Sequence, residues 1–247
     1  LTIRVAFSDW RPAIRPLAAG EAAAAIGDVH GQDDLFEALV DALADDLASR
    51  SAAPVIVQLG DLVDRGTGSI DALRRAQRGL PGVEFVTLMG NHEDCLLRAV
   101  EGDDEDAEQW FGCGGAATLA ELGLTPDDPD WRERFRSGVG DETLGWIAGL
   151  PVAHRIGDLL FVHAGIDPAT SLSRQDARTM MWVRGPFLDS DGPYPEGVAV
   201  IHGHTPQKKV DLRHPHRVNL DTGAFRSGVL SALLIAGNRM RLAQAIR

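Results

Sequence analysis

The chain has 247 residues, 44% of them hydrophobic and 24% charged, with a formal net charge of −12. That composition supplies a large packed core, and no apolar run approaches the ~20 residues needed to cross a bilayer. Acidic excess repels a phosphate backbone over most of the surface and argues against general nucleic-acid binding.

Residues 1–20 alternate Arg, Pro and small side chains and lack the apolar stretch of a secretory signal. Cys95 and Cys113 form no disulfide framework, and isolated thiols suit a reducing compartment, so a soluble cytoplasmic chain is expected. The apolar run at 22–29 reads as a strand ending in Gly-Asp-Val-His-Gly. Leu35, Leu39, Leu43 and Leu47 recur four apart, with Phe36 and Val40 beside them, and predict a helix. Residues 54–59 read as a buried strand, 60–66 as a glycine-bounded loop and 68–78 as a helix. Residues 83–89 read as a third strand, after which Gly-Asn-His-Glu at 90–93 opens a third helix.

Between 101 and 150 the strand signal disappears. The acidic run at 103–106 reads as a solvated helix start or loop, and Thr-Pro-Asp-Asp-Pro at 125–129 as a turn before a short helix. This section is expected to be a helical excursion over the site, within a single domain spanning 1–247. Next, 152–156 and 159–162 flank the hairpin signal Gly157-Asp158, and strands are expected at 198–201, 217–220, 229–235 and 240–246. Strand–helix–strand units followed by consecutive strands predict an α/β fold. Two packed mixed sheets flanked by helices, a four-layer αββα sandwich, accommodate both halves.

Asp28 and His30 stand two apart on an extended segment, so both side chains can meet one ion. An aspartate capping the next helix is the alternative. Asp61, Asp64 and Arg65 lie in a loop at a strand's carboxyl end, where open α/β sheets place ligands. A surface ion pair between Asp64 and Arg65 explains the charges but not the flanking glycines. Asn91 can give its carbonyl oxygen to a metal while His92 faces a substrate; a plain helix N-cap competes with that reading. His163-Ala164-Gly165 and Gly203-His204-Thr205 follow later strands. Each fragment is ordinary alone; all of them at strand ends, in one order, are not.

Together these motifs resemble those of the phosphoprotein phosphatases, within the wider calcineurin-like metallophosphoesterases, over roughly residues 22–225. The resemblance implies two divalent ions, manganese in the first place and iron or zinc otherwise. It implies Asp28, His30 and Asp61 around one ion, with Asp61 bridging to a second completed by Asn91, His163 and His204. It further implies His92 as general acid, oriented by Asp64, with Arg65 gripping the phosphoryl oxygens. Arg184, in Met-Trp-Val-Arg at 181–184, is the match for a second phosphate-binding arginine, and Asn91 and His92 also face substrate. A hydroxide shared by the ions would attack phosphorus directly.

Phosphodiesterase and nuclease relatives usually carry a histidine where this chain has Pro206, which favours the phosphatase branch. Asp-Thr-Gly-Ala at 221–224 resembles the closing strand of bacterial and phage-type members. The expected activity is therefore a phosphomonoesterase acting on phosphorylated proteins, at Ser/Thr and also at Tyr, or on a small phosphoester. Diadenosine tetraphosphate hydrolysis is the alternative, although symmetrical-cleaving members typically carry Ala where this chain has Asp64. A non-catalytic phosphoprotein binder should have lost a ligand or His92, and none is lost. His202 is expected to pack or hydrogen-bond, His154, His214 and His216 to lie at the surface, and Trp110, Trp131, Trp146 and Trp182 to pack in core or lid. Neither cysteine is a ligand in this scheme.

Overall fold

Alternation of side chains along the strands sorts the apolar residues into three separate layers. The computed structural model describes residues 2–247. It runs β1 (Arg4–Phe7), β2 (Arg11–Pro12), β3 (Ala22–Ile26), α1 (Asp33–Ala48), β4 (Val55–Gln58), α2 (Ser69–Arg78), β5 (Glu84–Thr87) and α3 (Asn91–Glu101). Four helices follow: α4 (Asp104–Cys113), α5 (Ala116–Ala120), α6 (Trp131–Val139) and α7 (Asp141–Ala148). The remainder is β6 (Ala153–Ile156), β7 (Leu159–Val162), α8 (Ala177–Trp182), α9 (Gly185–Leu188), β8 (Ala199–His202), β9 (Arg217–Asn219), α10 (Ala224–Ser227), β10 (Val229–Ala236) and β11 (Arg239–Ile246).

One sheet has the order β1-β11-β10-β3-β4-β5, with β2 also on β11; the other has the order β6-β7-β8-β9. In the first, β3, β4 and β5 are parallel and the remaining pairs antiparallel. In the second, β6 and β7 form the hairpin, while β7, β8 and β9 are parallel. Ala23 and Ala25 of β3 face Leu159 and Phe161 of β7 across the inter-sheet core, with Ile201, Leu220 and Leu233. Ala24 and Ile26, one residue out of phase, pack instead on the helix layer with Leu35, Phe36 and Leu39 of α1. Leu160 and Val162 of β7 point to the opposite outer face, against Met180 of α8 and Phe187 of α9. The result is the expected αββα arrangement of two mixed sheets between helices.

Some local features depart from the sequence reading. The segment 4–12 contains two strands, β1 and β2, which among the described residues pair with β11 alone. The four strands expected beyond the hairpin form, but the sequence reading did not predict α8 and α9, which cover the outer face of the second sheet. His154, His214 and His216 are half-buried rather than at the surface. His214 is held by Arg217, whose Nη1 lies 2.8 Å from its Nε2. Among the described residues no helix is long and apolar enough to cross a membrane.

Candidate metal centre

Parallel strands β3, β4 and β5 of one sheet and β7 and β8 of the other end at a common edge, and the segments leaving them carry the candidate residues. Carboxyl ends of parallel strands are where backbone turns outward and side chains converge on a ligand. Close approach of the two sheets here demands glycine at two places. A Cβ on Gly27 would lie 2.6 Å from the Leu220 carbonyl oxygen, and one on Gly203 would lie 2.0 Å from Asp28 Oδ1. The backbone is also bent sharply at the candidate residues themselves. Of six non-glycine residues with positive φ, five are His30 (47°), Asp61 (57°), Asp64 (74°), Arg65 (69°) and His204 (68°).

Asp61 lies between two groups of imidazoles. Its Oδ2 faces His30 Nε2 at 3.5 Å and His92 Nε2 at 3.8 Å. Its Oδ1 faces His163 Nε2 at 3.3 Å and accepts the His92 backbone N–H at 3.1 Å. Two clusters of ligand-type atoms result, His30–Asp61–His92 and Asp61–His163–His204, sharing this one carboxylate. Asn91 Oδ1 joins the second, 3.0 Å from His163 Nε2 and 2.8 Å from His204 Nδ1. Asp28 stands apart from both tight clusters; its carboxylate accepts the His204 backbone N–H at 3.0 and 3.2 Å. Of the two candidate arginines, Arg65 reaches the first cluster, its Nη1 2.8 Å from His30 Nε2 and its Nη2 2.9 Å from His92 Nε2. Arg184 is exposed and acts on His204 only through its charge, which helps depress that imidazole.

His92 and Asp64 form a buried pair, Nδ1 to Oδ2 at 2.7 Å. Asp64 receives further donors that the sequence reading did not anticipate. Trp110 Nε1 lies 3.1 Å from both its oxygens, and Thr118 Oγ1 donates to Oδ1 at 2.7 Å. Trp110 is thus core packing and a hydrogen-bond donor at once. Burial pushes the His92 pKa down, but the Asp61 charge and the Asp64 hydrogen bond outweigh it and raise the pKa above its ordinary value.

Glu93 and Asp221 also belong to the site, although the sequence reading gave neither a role. Glu93 accepts the backbone N–H groups of Asp61 (2.8 Å), Leu62 (2.7 Å) and Gly90 (3.1 Å), tying the loop after β4 to the start of α3. Its burial, with the nearby Asp61 charge, pushes its pKa up to about 7. Asp221 is buried with Oδ2 unpartnered, and its charge helps raise Asp28 above the carboxylate range, after burial itself. Position within the Gly-Asn-His-Glu motif marked Glu93, but nothing marked Trp110 or Thr118.

The donor set fits divalent cations. His30 Nδ1 donates to Val63 O at 2.9 Å and His163 Nδ1 to Leu59 O at 2.8 Å, which leaves each Nε2 lone pair facing the cluster. Asp61 Oδ1, Asn91 Oδ1, His163 Nε2 and His204 Nδ1 then meet with more lone pairs than hydrogens to fill them. Burial alone would lower the His163 pKa, yet Asp61 and Asp28 raise it to about 10. Imidazole, carboxylate and amide oxygen are ligands for first-row divalent metals.

An αββα sandwich with two acid–imidazole clusters joined by one carboxylate at its strand ends is a phosphoesterase-type fold with two clusters that could hold metal ions. The chain belongs to the calcineurin-like phosphoesterase family, whose model matches residues 23–228. Among curated relatives it is 35% identical over 150 residues to a symmetrical bis(5'-nucleosyl)-tetraphosphatase of Acidovorax ebreus (strain TPSY), covering 58% of this chain and 43% of the relative. A protein of the same name from Paracidovorax citrulli (strain AAC00-1) is 31% identical over 75% of this chain and 58% of its own length. The chain thus spans about half the length of these relatives. An asymmetrical bis(5'-nucleosyl)-tetraphosphatase, PrpE of Halalkalibacterium halodurans, is 26% identical over 84% of this chain and 87% of its own. A solved structure described as a candidate diadenosine tetraphosphatase shares the fold, with TM-score 0.64, 19% identity and coverage of 94% and 96%.

Proposed function

We propose that the chain is a metal-dependent phosphoesterase whose substrate is a dinucleoside tetraphosphate. The observation that carries the chemistry is Asp61, whose two oxygens face separate histidine clusters. In this reading Asp28, His30 and Asp61 hold one divalent ion, manganese in the first instance. Asp61, Asn91, His163 and His204 hold the other. When bound, such a pair supplies an activated water and neutralises developing charge on the phosphoryl oxygens. Arg65 orients those oxygens, with Arg184 opposite it, and a guanidinium suits the task because its planar fork matches two oxygens at once. The substrate class draws its support from the curated relatives, which bear that activity in their names under both symmetrical and asymmetrical forms.

One observation favours a second reading, phosphoprotein dephosphorylation at Ser/Thr and also Tyr. A nucleotide is a good leaving group, whereas a serine alkoxide departs only with a proton. The His92–Asp64 pair at 2.7 Å is built to hold such a proton at Nε2. Manganese-reconstituted protein assayed on diadenosine tetraphosphate and on a phosphopeptide separates the two. Nucleotide products with negligible phosphopeptide turnover are expected. A phosphopeptide preference by kcat/KM would reverse the assignment, and no turnover of either, or of p-nitrophenyl phosphate, would remove both.

A further inference from the structure

Lys208 and Arg226 line an open pocket of about 410 Å³, with Pro206, Gln207, Thr222 and Gly223. The pocket begins where the candidate centre ends, since Pro206 follows His204 by two residues and Thr222 follows Asp221 directly. Arg226 is exposed beside it: a Cβ on Gly223 would meet Arg226 Nη2 at 3.6 Å and Pro206 Cβ at 3.7 Å. Half-buried Phe225 joins pocket to centre. Its ring is 5.5 Å from that of His30, and the guanidinium carbons of Arg65 and Arg226 lie 4.9 and 5.0 Å from it.

Some arginines elsewhere on this surface are neutralised, as in Arg75–Asp33, Arg155–Glu196 and Arg213–Asp211, while others, such as Arg11, Arg178 and Arg239, have no carboxylate partner among the described residues. Lys208 and Arg226 have no such carboxylate partner among the described residues. Lysine occurs in this chain only at Lys208 and Lys209, both on the loop after β8, against a net charge of −12. Two cations without a carboxylate partner line one cavity, and one of them, Arg226, shares the Phe225 ring with Arg65; on an acidic molecule such a local positive patch selects anions. A single phosphoryl group is served by the centre itself and leaves this pocket without a ligand.

We propose that the pocket is a subsite for the phosphates distal to the scissile bond, so that the chain accommodates a polyphosphate rather than an isolated phosphoester. The proposal rests on the dinucleoside tetraphosphate reading above. Lys208 and Arg226 contact the distal oxygens, while Arg65 serves the reacting phosphoryl group. The bonds broken and formed are those of the hydrolysis itself; the subsite adds binding alone.

The test uses the full chain reconstituted with manganese, and Lys208→Ala and Arg226→Ala separately and together. KM for diadenosine tetraphosphate relative to KM for p-nitrophenyl phosphate should rise about tenfold for each cation removed, as expected for a lost charge-assisted hydrogen bond. Inhibition of p-nitrophenyl phosphate turnover by tripolyphosphate should weaken relative to inhibition by orthophosphate. Diadenosine tetraphosphate turnover with an unchanged KM ratio in the double variant would overturn the subsite and leave the substrate reading standing. A wild type that hydrolyses p-nitrophenyl phosphate but not the dinucleotide would remove the substrate reading instead. In that case a tripolyphosphate inhibition constant indifferent to the double substitution removes the subsite too, whereas a raised one sustains it as a site for polyphosphate.

Discussion

Trp110 of α4 places its indole N–H 3.1 Å from each oxygen of Asp64, a residue 46 positions earlier in the chain. With Thr118 of α5 on the same carboxylate, the helical section reaches into the hydrogen-bond chain behind His92. It therefore supplies part of the network that holds Asp64.

Trp110→Phe and Thr118→Val each remove one donor from a buried carboxylate; the valine keeps the shape, while the phenylalanine also leaves part of the indole volume empty. Each should cost about 1–3 kcal/mol of stability, read by denaturant unfolding. Both residues position Asp64 without touching substrate, so the kinetic effect should depend on the leaving group. Turnover of phenyl phosphate should fall more than that of p-nitrophenyl phosphate, with KM steady. An equal loss on both substrates would mark the two residues as structural only.

His92→Asn should lower kcat by about 10²- to 10⁴-fold, the range for a general acid, with metal content unchanged. Metal analysis of the dialysed variant decides the point, because loss of bound ion would make His92 a ligand. Its place beside Asp61 and His30 in one cluster makes that check necessary.

Asp61→Asn keeps the shape and removes the shared charge. Because each oxygen faces a different cluster, both ions should be lost together in titration calorimetry. Two tightly bound ions in this variant would refute the bridging role.

Acid sensitivity of the metal-free protein should follow its buried neutral imidazoles. Burial, the largest cause, lowers His202 to about 3, and its Nε2 has no partner to share a proton. The unfolded chain takes up that proton near the ordinary value of 6.5, while the native state refuses it until about 3. Stability is therefore full above the unfolded value and falls as pH drops from about 6.5 towards 3, by at most about 1.4 kcal/mol per pH unit per group. His202→Gln should flatten the fall of Tm between pH 7 and pH 5. An unchanged slope would assign the acid sensitivity to other groups.

Much of the fold was legible because its signals are local. The leucine repeat of α1, the Gly157-Asp158 hairpin and the strand before each glycine-flanked motif all lie within short windows. Edge strands β1 and β2 were not, since their only rationale is pairing with β11 more than two hundred residues later. The same division holds at the site. His30, Asp61 and His163 announce themselves by spacing and flanking glycines. Trp110 and Thr118 sit on ordinary helices, and only tertiary packing brings them to Asp64. The role of Glu93 as acceptor for four backbone amides is equally invisible in sequence, although its motif named the residue.

The left-handed backbone at His30, Asp61, Asp64, Arg65 and His204 sets folding against chemistry at one edge of the molecule. Glycine would adopt those conformations with less strain, which for other residues amounts to about 1–3 kcal/mol each. Drift governed by stability alone would erode these positions first. That five bulky or charged side chains occupy them means the side chains, and not the turns, account for the sequence there.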